Sequence, residues 1–233
     1  MQISGFLSVE NGGIANSTTV KDYMNVKTGG TVNYTVVQAG GSLTVSAGGV
    51  ANRTKVKSDG ELTVAQNGSA NITTVSEGGA ARLLGTATST TVINGTFAVS
   101  DGGQATSTTV DYEGDMIVSK GGTATSTTVR AYGDMIVSNG GFAELTTVSR
   151  TGLLIVSNGG SAELTTLDEG TMYVSNGGTA TGIEVNQGGS LFVNAGADVT
   201  TVWERSADMW NWRPERTWSL PEARSCRTSS GSR

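Results

Sequence analysis

Histidine is absent from this chain, cysteine occurs once, proline twice and phenylalanine four times in 233 residues. Each scarcity removes a class of function. Without histidine there is no Ser/His or Cys/His nucleophile pair, so only lysine or a carboxylate could serve as base. A lone cysteine, Cys226, permits no disulfide or cysteine-metal framework. A chain free of cysteine up to that point suits export without bridge formation. No apolar run approaches the roughly 18 residues of a membrane-spanning helix, so no membrane insertion by this chain is expected. Met1 leads directly into patterned sequence, and neither a signal peptide nor a membrane barrel is recognisable. Up to Val202 there are nine Lys/Arg against sixteen Asp/Glu. Such a chain has no basic stripe, and nucleic acid is not an expected partner. No cofactor is expected either.

What is present is rhythm. Glycine occurs 34 times, about twice its usual share, and Thr and Val are abundant, which favours strands. A Thr-rich stretch ending in Val recurs every 17 to 19 residues, at Val20, Val37, Val56, Val75, Val92, Val110, Val129, Val148, Leu167, Val185 and Val202. A second pattern, an apolar run followed by a glycine pair, interleaves with it and is anchored at Val9, Val26, Val45, Val64, Leu83, Val99, Val118, Val137, Val156, Val174 and Val193. Disordered chains also favour Gly and Ser, but they lack apolar residues in fixed register. A unit this short cannot bury a core by itself, so each copy must stack on the next.

One unit, GDMIVSKGGTATSTTV from Gly114 to Val129, carries the detail. Met116 and Val118 are two apart and share one face of a strand. The same pair recurs from Leu7/Val9 to Leu191/Val193, so stacking yields two continuous inward rows. Glycines two residues before the pair (Gly114, Gly133) and four after it (Gly122, Gly141) are expected to be corners, with positive φ as the reason for glycine. The Thr-rich strand does not alternate cleanly. Leu145/Val148 and Ile72/Val75 are three apart, which predicts a bend or bulge. Sequence does not reveal which Thr hydroxyls turn inward; those that do would need partners in the neighbouring rung. Gly79 to Val92 departs most from the pattern and is expected to be irregular.

The fold class that satisfies these rules is all-β: a right-handed parallel β-helix of about eleven 17–19-residue rungs with an irregular C-terminal tail. Eleven rungs at roughly 4.8 Å make a rod on the order of 50 Å long. Residues 1–202 form the repeat domain. Residues 203–233 hold all four Trp, both Pro, the only Cys and six of ten Arg. This non-repeat tail is expected to be disordered or frameshifted.

Chemistry is sparse. Glu144/Glu163 and Asp115/Asp134 share registers and are expected one rung apart, but nothing like a catalytic cluster surrounds them. No catalytic or metal site is expected, since two carboxylates alone bind calcium weakly. N-x-S/T triplets begin at Asn16, Asn33, Asn52, Asn67, Asn71 and Asn94, and composition accounts for them more readily than glycosylation.

The units VSNGGTATSTTV and VSKGGTATSTTV resemble the imperfect 19-residue repeats of AIDA-type autotransporter adhesins, with antigen 43 and TibA adhesins similar. The resemblance spans residues 1 to about 202. It implies a non-enzymatic passenger displayed on the bacterial surface by an outer-membrane barrel. It also implies adhesion to host cells or to like passengers on neighbouring cells, autoaggregation and biofilm formation. In several members a heptosyltransferase modifies serines, and Ser46, Ser100, Ser119, Ser138, Ser157 and Ser175, each directly after the ladder Val, are the matching candidates. Two alternatives stand beside this: a polysaccharide-acting enzyme on a β-helix, and a truncated fragment without function of its own.

Overall fold

The computed structural model describes residues 1–205 and the backbone of Arg224–Arg227. Among them the chain coils through eleven rungs, each with one short and one long strand, and contains no helix. The short strands run from Phe6–Val9 to Ser190–Val193. The long ones are continuous in seven rungs, as in Val50–Val56 and Phe142–Ser149, and split in the other four, as in Thr123–Thr125 followed by Thr128–Val129. Stacking gives a 12-stranded sheet of short strands and a 16-stranded sheet of long ones. Pairing between successive rungs is parallel throughout, the arrangement expected of a parallel β-helix.

Registers match residue by residue. Met116 stands beside Met135 and Val118 beside Val137, and the whole Leu/Met and Val rows are carried on in this way. Three further inward rows come from the long strand: an alanine row (Ala51, Ala70, Ala87, Ala105, Ala124, Ala143), a threonine row (Thr18 through Thr165), and the expected valine row. Each fully buried Val, Leu or Met adds about 1.5–3 kcal/mol, and the rows leave almost no apolar side chain partly wet except in the terminal rungs.

A bulge is present in every rung, but it is centred on Leu145 and Ile72 themselves, which point outward, rather than between them and Val148 or Val75. The residue between the alanine and threonine rows' outward neighbours adopts positive φ: Ser17, Tyr34, Arg53, Ile72, Ser89, Ser107, Ser126, Leu145, Leu164 and Thr201 lie between 52° and 58°, and Gly182 at 69°. This single left-handed residue shifts the alternation by one, so that Ala143 and Thr146, three apart, both point inward. Left-handed backbone at a non-glycine costs about 1–2 kcal/mol, and the two sheets hold it in place.

The glycine corners need a different explanation from the expected one. Gly122, Gly141 and Gly160 do not have positive φ. A Cβ on Gly141 would lie 2.2 Å from the Val118 carbonyl oxygen of the preceding rung. Close stacking of backbone on backbone therefore demands these glycines. Positive φ falls one residue earlier, at Gly121, Gly140 and Gly159, with Lys120 and Asn139 also left-handed.

The rung beginning at Gly79 keeps full pairing. Ala81 stands between Leu62 and Phe97, where the small residue accommodates the large one. Its irregularity is confined to its corners, Leu84-Gly85 and Asn94-Gly95, where the four-residue turn is shortened. Val202 also differs from expectation: it pairs with Ile183 on the threonine row, and Glu204 stands opposite Val185. The final interval of the valine row is 19 residues, from Val185 to Glu204, and Val202 falls two positions short of it. The last long strand runs Asp198–Glu204, and Arg224–Arg227 adds antiparallel to Ser190–Val193. The rest of the expected tail lies outside the described residues.

Candidate functional site

With the interior filled, function must reside on outward rows. On the long-strand sheet, Asn16, Asn33, Asn52 and Asn71 stack as an amide ladder. Each Nδ2 donates to the Oδ1 one rung earlier, at 2.8, 3.0 and 3.0 Å, and Thr88 donates to Asn71 at 3.0 Å. In each of these four N-x-T triplets the middle residue is the left-handed one and the Thr is buried. Asn67 and Asn94, the other two triplets, are left-handed turn residues. Composition alone was thus an incomplete account: all six positions serve the fold.

The inward threonines fare differently from the asparagines. Nine hydroxyls, from Thr18 to Thr165, are buried without a hydrogen-bond partner among the described residues, so the expected vertical partnership does not form. Rungs about 4.8 Å apart exceed the 2.5–3.0 Å that two hydroxyls need, while an amide side chain is long enough to bridge. On the outside, Thr200 does lean onto Thr181 at 2.9 Å.

Apart from the buried Gly182, the left-handed residues form the most exposed row of the long-strand sheet. Tyr34, Ile72, Leu145 and Leu164 are 48–54% exposed. The Arg53 guanidinium lies 5.2 Å from the centre of the Tyr34 ring and also donates to its hydroxyl at 2.9 Å. Beside Leu145 and Leu164 stand Glu144 and Glu163, paired one rung apart as expected. Basic residues of this face therefore sit in early rungs (Arg53, Lys55) and acidic ones in late rungs (Glu144, Glu163, Glu184). Sequence inspection missed this row because its residue types vary freely; the N-x-T frame around it was the available signal.

The candidate serines line one edge of the other sheet. Ser100, Ser119, Ser138, Ser157 and Ser175 follow the paired short strands on consecutive rungs, whereas Ala65 and Leu84 separate Ser46 from them. Each serine carbonyl accepts the N–H of the second corner glycine, as Gly122 to Ser119 at 2.9 Å. Ser100 is buried and its hydroxyl is engaged by Asp101; Ser46 donates to Asn25 at 2.9 Å; the other four are half-buried. Next to this row, Ile117, Ile136, Ile155, Tyr173 and Phe192 make an outward apolar stripe, ending in a ring stack at 4.7 Å.

Asp115 and Asp134 are adjacent on the same sheet, and partial burial, together with the Asp115 charge, raises the Asp134 carboxyl above its ordinary pKa. The Arg130 guanidinium reaches the buried Asp111 at 3.0 Å, tying two corners together. Among the described residues no three of His, Cys, Asp and Glu converge as metal ligands.

Comparison with known proteins agrees with this architecture. The family model described as "Adhesin of bacterial autotransporter system, probable stalk" matches residues 26–79 and 130–189. Among solved structures, a fragment of TibA hyper-glycosylated by TibC is similar, with 32% identity and a TM-score of 0.72, covering 88% of this chain and 83% of that one. No curated protein matches the chain. Repeat, coil and both matches coincide: the chain belongs to the AIDA family of autotransporter adhesins and is a stretch of its passenger stalk.

Proposed function

We propose that this stalk mediates cell adhesion, autoaggregation and biofilm formation at the bacterial surface, with a second copy of itself as one partner and host-cell surfaces as another. The observation that carries the self-association is the left-handed row. Its eleven residues run Ser, Tyr, Arg, Ile, Ser, Ser, Ser, Leu, Leu, Gly, Thr from first rung to last. Two rods laid face to face and antiparallel match rung one with rung eleven and rung six with itself. Tyr34 then meets Gly182, Ile72 meets Leu145, Arg53 meets Leu164 beside Glu163, and serines meet in the centre. Such an isologous contact uses the same surface on both copies, and many weak contacts add as avidity.

A row of half-buried serines along one sheet edge supports modification as well. The TibA fragment is glycosylated by TibC, and Ser119, Ser138, Ser157 and Ser175 are the corresponding candidates here, with Ser46 and Ser100 less accessible. A heptosyltransferase is the enzyme class proposed.

Charge reversal tests the pairing. Cells displaying Glu144→Lys with Glu163→Lys, or Arg53→Glu with Lys55→Glu, are expected not to clump alone. Mixed together they are expected to clump, because each contact regains opposite charges. Wild-type clumping by either variant alone would overturn the proposal.

A further inference from the structure

We infer that Asn94 is the site at which this stalk undergoes spontaneous deamidation. Six Asn-Gly pairs lie in the described residues, beginning at Asn11, Asn67, Asn94, Asn139, Asn158 and Asn176, and all six asparagines are exposed. The chemistry needs the backbone nitrogen of the following glycine. That nitrogen attacks the asparagine Cγ and loses its proton, ammonia leaves, and a succinimide closes. Water then opens the ring on either side, giving aspartate or isoaspartate. A glycine N–H held in a hydrogen bond is withheld from this attack.

The fold withholds five of the six. Gly12 donates to Gly29 at 3.0 Å, Gly68 to Ala65 at 2.9 Å, Gly140 to Gly159 at 2.7 Å, and Gly159 and Gly177 each to a glycine of the next rung at 2.8 Å. Gly95 has no acceptor among the described residues. The longer corners close with a bond from the glycine at their end, as Gly114 to Asp111 at 3.0 Å, but the corner at Asn94 is one residue too short to make it. Gly95 is buried, so its unpaired donor favours brief opening of this corner to water. Both effects select the same residue.

The product changes the rod where it is least regular. Asn94 is bonded through its backbone to Gly78 and Tyr112. A carboxylate here adds charge to a line of corners that already carries Glu77 in the rung before and Glu113 in the rung after, and isoaspartate adds one backbone atom to a rung held in tight register. Local loosening of Thr96–Val99 follows.

The test is ageing of the purified chain at mildly alkaline pH, with peptide mapping that separates aspartate from isoaspartate. Deamidation at Asn94 is expected at least about fivefold faster than at any other Asn-Gly pair, the factor that one hydrogen bond of about 1 kcal/mol sets. Gly95→Ala is not the control, since a Cβ there crowds Gly79 and Val75; Asn94→Gln is, and is expected to abolish the early modification. Equal rates at all six pairs, or a faster site elsewhere, would overturn the inference.

Discussion

Replacing Thr127 by valine should stabilise the rod. Thr127 is 1% exposed and its hydroxyl has no partner, as for eight other members of its row. A buried hydroxyl left unpaired costs about 1–3 kcal/mol, and valine keeps the β-branched shape while removing the polar atom. The row itself tolerates the change, since Ile183 and Val202 occupy it in the last two rungs. The expected gain is therefore about 1–2 kcal/mol for Thr127→Val, or roughly 2–8 °C in Tm for a chain of this size. The triple variant at Thr108, Thr127 and Thr146 should gain more, although contacts along the row make strict additivity unsafe. Thermal melts and urea titrations with matched slopes give the answer. If Thr127→Val proves less stable than the parent, the hydroxyls are linked to one another or to backbone, and the account of an unsatisfied interior row is wrong.

The corner glycines separate two costs. Gly141→Ala drives a Cβ to within 2.2 Å of backbone oxygen and should lose at least about 3 kcal/mol. Gly140→Ala meets nothing nearer than 3.7 Å and should lose only the left-handed cost of about 1–2 kcal/mol; equal losses in a melt would contradict the stacking argument. Asn52→Ala removes two ladder bonds at once and should cost about 1–3 kcal/mol, with amide exchange rising in the rungs on either side; unchanged exchange would make the ladder incidental. Asp134→Asn should stabilise at neutral pH. The folded carboxyl is raised by partial burial and by Asp115, so its ionisation disfavours the fold above that raised pKa, and the penalty fades as pH falls through it towards about 3.9. The stability difference between variant and parent should accordingly shrink to nothing in acid, and a difference that persists there would point to packing rather than charge.

Much of this was visible in the residues before any coordinates. Met116/Val118 and its ten equivalents declared the inward rows, because strand alternation has a period of two and the copies are many. The paired carboxylates were visible for the same reason. The left-handed row was only half visible. Leu145 and Val148, three apart, announced a bulge, but no residue type marks its centre: Leu, Ile, Tyr, Arg and Ser all occupy a conformation usually left to glycine. The glycines that are conspicuous at Gly141 and Gly160 looked like turn formers. Their cause is a carbonyl in another rung, which a single repeat cannot display. The orientation of Thr127 against Thr128 was equally hidden, since two identical neighbours offer no contrast for alternation to act on.

Each turn of the coil but one, where Gly182 stands, carries a side chain that the interior never sees, held outward by the backbone whatever its identity. Such a position is free to vary while the scaffold stays constant. Ten of them in file amount to a line of text whose letters can be rewritten one at a time, and whose length grows by a letter with every added turn. Strains could thus differ in what they stick to while sharing one indistinguishable rod.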